Sequence, residues 1–459
     1  MALFRIGLGV VFVLDLCLRA RDLQLFYGDR GVLSRSLFLK QSWLLSEYQL
    51  FLATGSDWGL GLLFVLGAVA GISLVAGYRT RLAAFACWAF TVSIQLRNPM
   101  VLDGGDELLR LLLFWCPFLP LSARWSVEAK KNPEWVKLPD TYRSVATAGV
   151  TIQYSLLYLF AAILKSGEEW RTTGTALYYT LSIDQFATHF GKWMLNYPQL
   201  LKAATFAAVG TEFCLGILIL VSPRYWRVKT LVLAGALSLH LGIALLLNFG
   251  IFQLIVSVGL LAFVPGAIFD RWFVQARNGN PEAEPPGYRL TKAETLFGSF
   301  IIFYIVFVNV QSVWERHRLP GWTMAVARIT FQHQHWHLFA PRPFRDDGWF
   351  VFEVTDSQGQ IWRSLGAPDN TLEKPSHVAD TFPNHRWRRW FQNLVLEPFE
   401  DTQSWRNSTA LYLANRWVSE NPKSRLVSYR LLFMKEFTPS PGGKPSVETV
   451  VLAESARNG

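Results

Sequence analysis

Long runs of apolar residues, separated by short polar segments, fill the first two thirds of the chain. A helix needs about 20 apolar residues to cross the hydrocarbon core of a bilayer, and about nine runs approach that length. The run LLNFGIF leaves almost no loop between the seventh and the eighth, which predicts a tight helical hairpin or a broken helix. The predicted spans are 2–18, 57–78, 82–96, 106–122, 146–165, 199–222, 230–248, 250–269 and 294–312. The pattern therefore predicts a mainly α fold, with a polytopic transmembrane helical bundle over residues 1–312.

A different pattern begins after residue 312. The stretch DDGWFVFEVTDSQGQIWRSL alternates apolar and polar residues around Ser-Gln-Gly, which predicts a β-hairpin. A second strand pair, joined by a Pro/Gly loop, is predicted in RLVSYRLLFMKEFTPSPGGKPSVETVVLAES. Between the two, HRWRRWFQNLV and STALYLANRWVSEN favour helices. Residues 313–459 are therefore predicted to form a small C-terminal α/β domain.

Loop charges orient the predicted spans, because Lys and Arg collect in cytoplasmic loops. With the N-terminus in the cytoplasm, the inner loops 79–81, 123–145, 223–229 and 270–293 hold two, five, three and four of these residues. The outer loops 97–105 and 166–198 hold one and two, and the first loop, 19–56, is the exception with five. An odd number of spans then makes the C-terminal domain extracytoplasmic and places Lys165 at the outer end of the fifth span.

Composition supports a membrane protein. The 459 residues are 51% hydrophobic and 17% charged, whereas average soluble domains have about 25% charged residues. The net charge is +10, but the arginines lie mostly in short loops and form no compact basic block. We therefore expect the lipid bilayer as a partner, no nucleic acid, and a location in a bacterial inner or plasma membrane.

The sequence gives little support for a metal. The four cysteines, each inside an apolar run and none in a CxxC pair, are Cys17, Cys87, Cys116 and Cys214. In HQHWH, the side chains of His333, His335 and His337 share one face of a predicted strand. That spacing can bind a metal, but no carboxylate is built into it, and we expect no metal cofactor.

Ionisable residues inside predicted spans are candidates for function, because each costs several kcal/mol in hydrocarbon. Glu212 lies midway through its run, and Arg110 follows Asp106 by one helical turn. His240 and Asn248 bracket the run HLGIALLLN, and Lys165 ends the run LYLFAAILK.

Each candidate also has a structural interpretation. Asp106 and Arg110 could pair with each other at an interface. His240 could be a hydrogen-bonded packing residue with Glu212 as its partner. Lys165 could be an anchor that extends to the membrane surface, or an amine kept from water and able to act as a general base. We expect Glu212, His240 and Asn248 to face the interior of the bundle.

Several motifs carry a family resemblance over nearly the whole chain. They are ALFRIGLGVVFVLDL, YGDRGVL, LRNPMVLDGGDELLRLLLFW, LKSGEEW and LFAPRPFRDDGWFVFEV. Together they resemble the horizontally transferred transmembrane domain family, the group of proteins similar to the vitamin K-dependent γ-carboxylase.

The resemblance implies a reaction. A reduced quinone (vitamin K hydroquinone or menaquinol), oxygen and carbon dioxide would convert glutamate in an exported peptide or protein to γ-carboxyglutamate. Lys165 stands where the family has its base, ahead of Trp170, and His240 stands where carboxylases carry a histidine. We assign Lys165 and His240 as candidate catalytic residues. The candidate quinone or substrate contacts are Trp170, Glu212, Asn248, Asp106 and Arg110.

The chain also departs from the carboxylases. It has Asp106 where they place a histidine, it lacks the cysteines that bridge their two parts, and its exported part is shorter. Bacterial-type members include proteins implicated in maturing secreted peptide toxins. Two functions follow from the sequence: a quinol-driven carboxylase, or a non-catalytic membrane scaffold or maturation factor for secreted peptides.

Overall fold

The computed structural model describes residues 1–40, 49–132, 142–222, 225–264, 290–314, 320–367, 370–396 and 402–456. Within them the protein is mainly helical, with one four-stranded antiparallel sheet near the C-terminus. Parts of the predicted inner loops 123–145, 223–229 and 270–293, and the end of the eighth predicted span, lie outside the described residues.

A helix lies at each predicted span. The helices are α1 Ala2–Ala20, α2 Asp57–Ala76, α3 Thr80–Arg97, α4 Gly104–Trp115, α5 Val145–Leu164, α6 Pro198–Val221, α7 Trp226–Leu246, α8 Phe252–Leu260 and α9 Lys292–Ser312. Over the described ranges, five helices are long and apolar enough to cross a membrane, namely α2, α5, α6, α7 and α9. Large apolar side chains such as Leu66 of α2 and Leu241 of α7 are exposed on their outer faces. Several apolar helices of this kind indicate a membrane protein.

Helix α4 is shorter than the predicted span 106–122. It has 12 residues and gives way to a 3₁₀ turn, Cys116–Phe118. Pro117 has no N–H to donate and its ring prevents a regular helix from continuing. Twelve residues rise about 18 Å, well short of the roughly 30 Å hydrocarbon core. The apolar run therefore bends inside the protein, and α4 alone does not reach across a bilayer.

The C-terminal part contains both predicted hairpins. Strands β1 Asp346–Asp356, β2 Ile361–Leu365, β3 Leu426–Phe437 and β4 Ser446–Ala456 pair in the order β2-β1-β3-β4. The first hairpin turns through Gly359, whose φ of +80° favours glycine. Helices α10 Gly321–Thr330, α11 His385–Leu396 and α12 Thr402–Glu420 complete this part, and α12 packs on β3 and β4.

The bundle and the C-terminal part share one continuous hydrophobic core. Phe26, in the short helix after α1, packs against Trp387 and Trp390 of α11, with ring centroids 5.9 and 6.1 Å apart. Between α10 and the sheet, an extended segment enters the bundle, and the buried Gln334 in it hydrogen bonds to Gln153 of α5. The C-terminal part is therefore built onto the helices by buried contacts.

Candidate functional site

Lys165 directly follows the last residue of α5, and its side chain turns back into the protein. The residue is 3% exposed. Its Nζ donates to both carboxylate oxygens of Glu212, at 2.9 and 2.7 Å, and to the carbonyl of Ala161 at 3.1 Å. The same atom lies 5.2 Å from the ring centroid of Trp170. A snorkelling lysine would keep its ammonium in water, so the buried position excludes the anchor interpretation.

A close approach of α6 to α5 brings Glu212 to this lysine. Gly216 lies one helical turn after Glu212, and a Cβ at Gly216 would be 2.8 Å from the backbone nitrogen of Leu159. The hydroxyl of Ser155 donates to the Gly216 carbonyl at 2.6 Å. Only a residue without a side chain permits this contact, and the contact carries the Glu212 carboxylate to the end of α5.

His240 lies beside the ion pair. Its Nε2 and the Tyr158 hydroxyl are 2.9 Å apart, and its Nδ1 makes no hydrogen bond within the described part of the chain. Tyr158, His240 and Glu212 all line a cavity of about 20 Å³. That volume holds a water molecule, which needs roughly 10–15 Å³. The residues that line it are Leu157, Tyr158, Ala161, Glu212, Leu239, His240, Ile243, Phe252 and Leu338.

The loop after Lys165 is fastened to the C-terminal part. The Trp170 indole N–H donates to the carbonyl of Phe339 at 3.0 Å, and Gly167 N–H donates to Pro341 at 3.0 Å. Arg345 lies 2.8 Å from the Glu169 carboxylate. Burial would raise the pKa of Glu169, but a hydrogen bond from its own backbone and the Arg345 guanidinium hold that pKa below its usual value. Glu169 therefore faces Arg345, and Glu212 is the carboxylate that meets Lys165.

Asp106 and Arg110 do not pair with each other, contrary to the interpretation from their spacing. Asp106 accepts from Arg19 of α1 and from Arg386 of α11, which lies 3.1 Å away. Arg110 donates to the side chain of Gln95 at 2.9 Å and to the carbonyl of His333 at 3.0 Å. Among the described residues, neither hydrogen bonds to Lys165 or lines the cavity. Asp106 therefore belongs to a second polar cluster, between the bundle and α11.

The prediction that Asn248 faces the interior of the bundle is wrong. Asn248 follows the end of α7 and is exposed. Its side-chain oxygen accepts from the N–H of Gly250 at 3.2 Å, and its backbone carbonyl accepts from Arg388 at 2.7 Å. The predicted span 230–248 ends two residues beyond the helix, so the position predicted to end a span lies in a turn.

The segment that contains the three histidines is extended but is not part of the sheet. Gln332, Gln334 and Trp336 are buried, whereas His335 and His337 on the other face are exposed. Neighbouring rings are 6.5 and 6.2 Å apart, and no carboxylate completes a metal site there within the described ranges. The donor atoms that do come together belong to His189, His377 and Asp380.

Several contributors to these clusters are not candidates from the sequence, and Tyr158 and Arg386 show why. Tyr158 resembles any other aromatic residue in an apolar run. Arg386 is one of three arginines in HRWRRWF, and only its burial, at 3% exposed, distinguishes it from a solvent-facing charge. The sequence signal for a buried Arg386 is its position next to tryptophan in an amphipathic helix.

The structure is that of a mainly helical protein with a buried Lys–Glu pair beside a water-sized cavity, and its apolar helices indicate a membrane protein. Over 216 residues the chain is 26% identical to the sporulation-delaying protein SdpB of Bacillus subtilis (strain 168). The aligned part covers 46% of this chain and 62% of SdpB, less than two thirds of that protein. No protein-family model matches the chain. No solved structure matches it either.

Proposed function

We propose that this protein is an integral membrane enzyme that modifies an exported peptide by acid–base chemistry at Lys165. The reaction is of the type implied by the resemblance to the γ-carboxylases, the carboxylation of glutamate. The observation that carries the proposal is the buried ion pair between Lys165 and Glu212. The loop charges predict a topology with the N-terminus inside and residues 313–459 outside. That topology would put Lys165 near the side where such a peptide arrives.

The energetics of the pair favour a functional role over a packing role. Removing two opposite charges from water costs several kcal/mol for each ion, and apolar residues of similar volume often pack as well or better. Glu212 already accepts a hydrogen bond from Lys165 Nζ at 2.7 Å. Transfer of that one proton along the bond leaves a neutral amine and a neutral carboxylic acid. A neutral amine is a general base, and the partner needed to create it is in place.

A quinol ring does not fit the site as it stands. Drug-sized ligands occupy pockets of roughly 300–1,000 Å³, whereas the cavity beside Glu212 and His240 has about 20 Å³. We therefore derive no step through the quinol, oxygen or carbon dioxide. The role assigned to the chain's own residues is to store and release one proton between Lys165 and Glu212, with Tyr158 and His240 around the same water-sized space.

The test compares Lys165→Arg and Lys165→Ala with Lys202→Arg, a control on the exposed side of α6. Arginine keeps the positive charge but cannot be deprotonated in a protein. We expect both Lys165 variants to lose carboxylated glutamate from exported peptides, measured by mass spectrometry, and to lose quinol oxidation in isolated membranes. The Lys202 variant should retain both. Unchanged activity in both Lys165 variants would refute the role of Lys165 as a base.

The second candidate function is a non-catalytic scaffold or maturation factor for secreted peptides. The small cavity favours it, because a space of about 20 Å³ has no room for a substrate beside Glu212. It is consistent with the partial similarity to SdpB, a sporulation-delaying protein. Under this hypothesis, Glu212→Gln lowers thermal stability, and the exported peptide carries no modification that depends on Lys165.

A further inference from the structure

Two histidines and an aspartate meet where the loop between α5 and α6 touches the C-terminal part. His189 begins the short helix His189–Met194, and His377 precedes the 3₁₀ turn Val378–Thr381, which contains Asp380. The two imidazole rings stack with centroids 3.9 Å apart and an angle of 28° between planes. His189 Nε2 lies 3.5 Å from Asp380 Oδ2, and His377 Nδ1 lies 3.4 Å from Asp380 Oδ1.

Each separation between a histidine nitrogen and an Asp380 oxygen is close to the donor spacing of a tetrahedral metal site. Zinc binds nitrogen and carboxylate oxygen at about 2.0–2.2 Å, which puts neighbouring donors roughly 3.3–3.6 Å apart. All the donor atoms of the group lie within 4.8 Å of one another. The His189 side chain is 80% exposed, so packing in the described part of the chain does little to hold its ring in one orientation.

His377 is the independent sign that a ligand is needed. The residue is 8% exposed, and neither of its ring nitrogens makes a hydrogen bond within the described residues. Buried polar atoms nearly always have a partner in native proteins. A metal bound at Nδ1 would satisfy one nitrogen and hold the ring against Asp380.

The surroundings are compatible with a bound cation. The nearby positive charges Lys192 and Lys374 are both engaged with Asp184, Lys192 at 2.9 Å. The side chains of His189 and Asp380 are 80% and 66% exposed, so a metal held there keeps one side open to solvent. Three protein ligands with an open fourth position are the arrangement of zinc sites that bind water or a substrate.

We propose that His189, His377 and Asp380 bind a divalent transition metal of the zinc class. The site would clip the loop between α5 and α6 to the C-terminal part and leave one coordination position for water or an anionic ligand. Two imidazoles and one carboxylate suit zinc better than magnesium or calcium, which prefer oxygen ligands alone. The site does not involve Lys165, so its failure would leave the proposed function untouched.

The experiment uses the full chain in detergent, purified with a tag that contains no histidine and stripped with a chelator. Isothermal titration with zinc ion alone should show one site per chain, and magnesium should show none. His189→Ala, His377→Ala and Asp380→Asn should each weaken zinc binding by about a hundredfold or more, since even residues that only support a ligand are worth 10–100-fold. His337 is another exposed histidine of the C-terminal part, and the His337→Ala variant should bind zinc with the affinity of the unsubstituted protein.

Folding is controlled separately. His189 is largely exposed, so His189→Ala should unfold at the same temperature as the parent without zinc. Zinc should then raise the unfolding temperature of the parent but not of His189→Ala. Absence of binding in the parent, parent-like affinity in His189→Ala, or loss of binding in His337→Ala would each overturn the proposal.

Discussion

Replacement of Arg386 by alanine should destabilise the protein by about 3–5 kcal/mol, the usual effect of removing one partner from a buried ion pair. Arg386 extends from α11 between α1 and α4, with its side chain 3% exposed. It lies 2.6 Å from Asp15 and 3.1 Å from Asp106, and it also donates to the carbonyl of Val101 at 3.1 Å. Arg19 is bonded to the same two carboxylates. Two arginines therefore balance two aspartates, and alanine leaves one buried negative charge uncompensated.

The control for Arg386→Ala is the alanine variant of an exposed arginine that forms an ion pair in the same part of the chain. Arg416 and Glu420 pair at 2.8 Å on α12, with side chains 52% and 56% exposed. Such i,i+4 surface pairs contribute about 0.3–0.5 kcal/mol. Equilibrium unfolding of both alanine variants in mild detergent, followed by tryptophan fluorescence, should separate the two effects by several-fold.

A double variant tests whether charge is the cause. Adding Asp15→Asn to Arg386→Ala restores neutrality in the cluster, so the double variant should be more stable than Arg386→Ala alone. Two residues in direct contact should show an interaction energy of about 0.5–3 kcal/mol in this cycle. If Arg386→Ala loses no more stability than Arg416→Ala, or if the two changes are simply additive, the buried network does not hold α11 on the bundle.

Two further predictions concern the C-terminal part. Burial, and after it Asp184, raises the pKa of Asp347 from 3.8 to about 8, with Lys374 opposing. Because the folded state then binds more protons than the unfolded chain between these values, the free energy of unfolding falls as pH rises through this window. Asp347→Asn should remove that loss, so its stability relative to the parent increases from about pH 4 to pH 8. Asp346→Asn, at the neighbouring half-buried position, should show no such increase. Equal pH profiles for the two variants would contradict the assignment. For the topology, a cysteine in place of exposed Lys423 should react with membrane-impermeant reagents in intact cells, with the unsubstituted protein as control, and labelling only after permeabilisation would place the C-terminal part inside.

Much of the fold was predictable because each element carries its own periodicity. Apolar runs predicted the helices, and alternation predicted the paired strands β1–β2 and β3–β4. The length of α4 was not predictable in this way, since the apolar run continues past Pro117 to Leu121 and conceals the break. An apolar run indicates that a segment is buried, but it does not show where a helix ends. The helix ends where proline cannot donate the next backbone hydrogen bond.

The sequence singles out two of the charges at the candidate site but not the way they pair. Lys165 and Glu212 are both recognisable as charges in apolar runs, yet the sequence offers His240 as the partner of Glu212. In the structure, Glu212 pairs with Lys165, 47 positions away, and His240 hydrogen bonds to Tyr158. Which charges meet is decided by how closely helices approach, here through Gly216. That information lies in helix packing, and a single sequence does not display it.

Buried polar contacts cross the boundary that composition predicts near residue 312. Composition divides the chain there, but Arg386 from one side neutralises Asp15 and Asp106 on the other. Gln334 similarly reaches Gln153 in α5. With α11 in place but without the Arg386 side chain, two buried carboxylates would share Arg19 alone, a state that costs several kcal/mol. Arg386 therefore couples the stability of the bundle to the docking of α11, across the boundary that composition predicts.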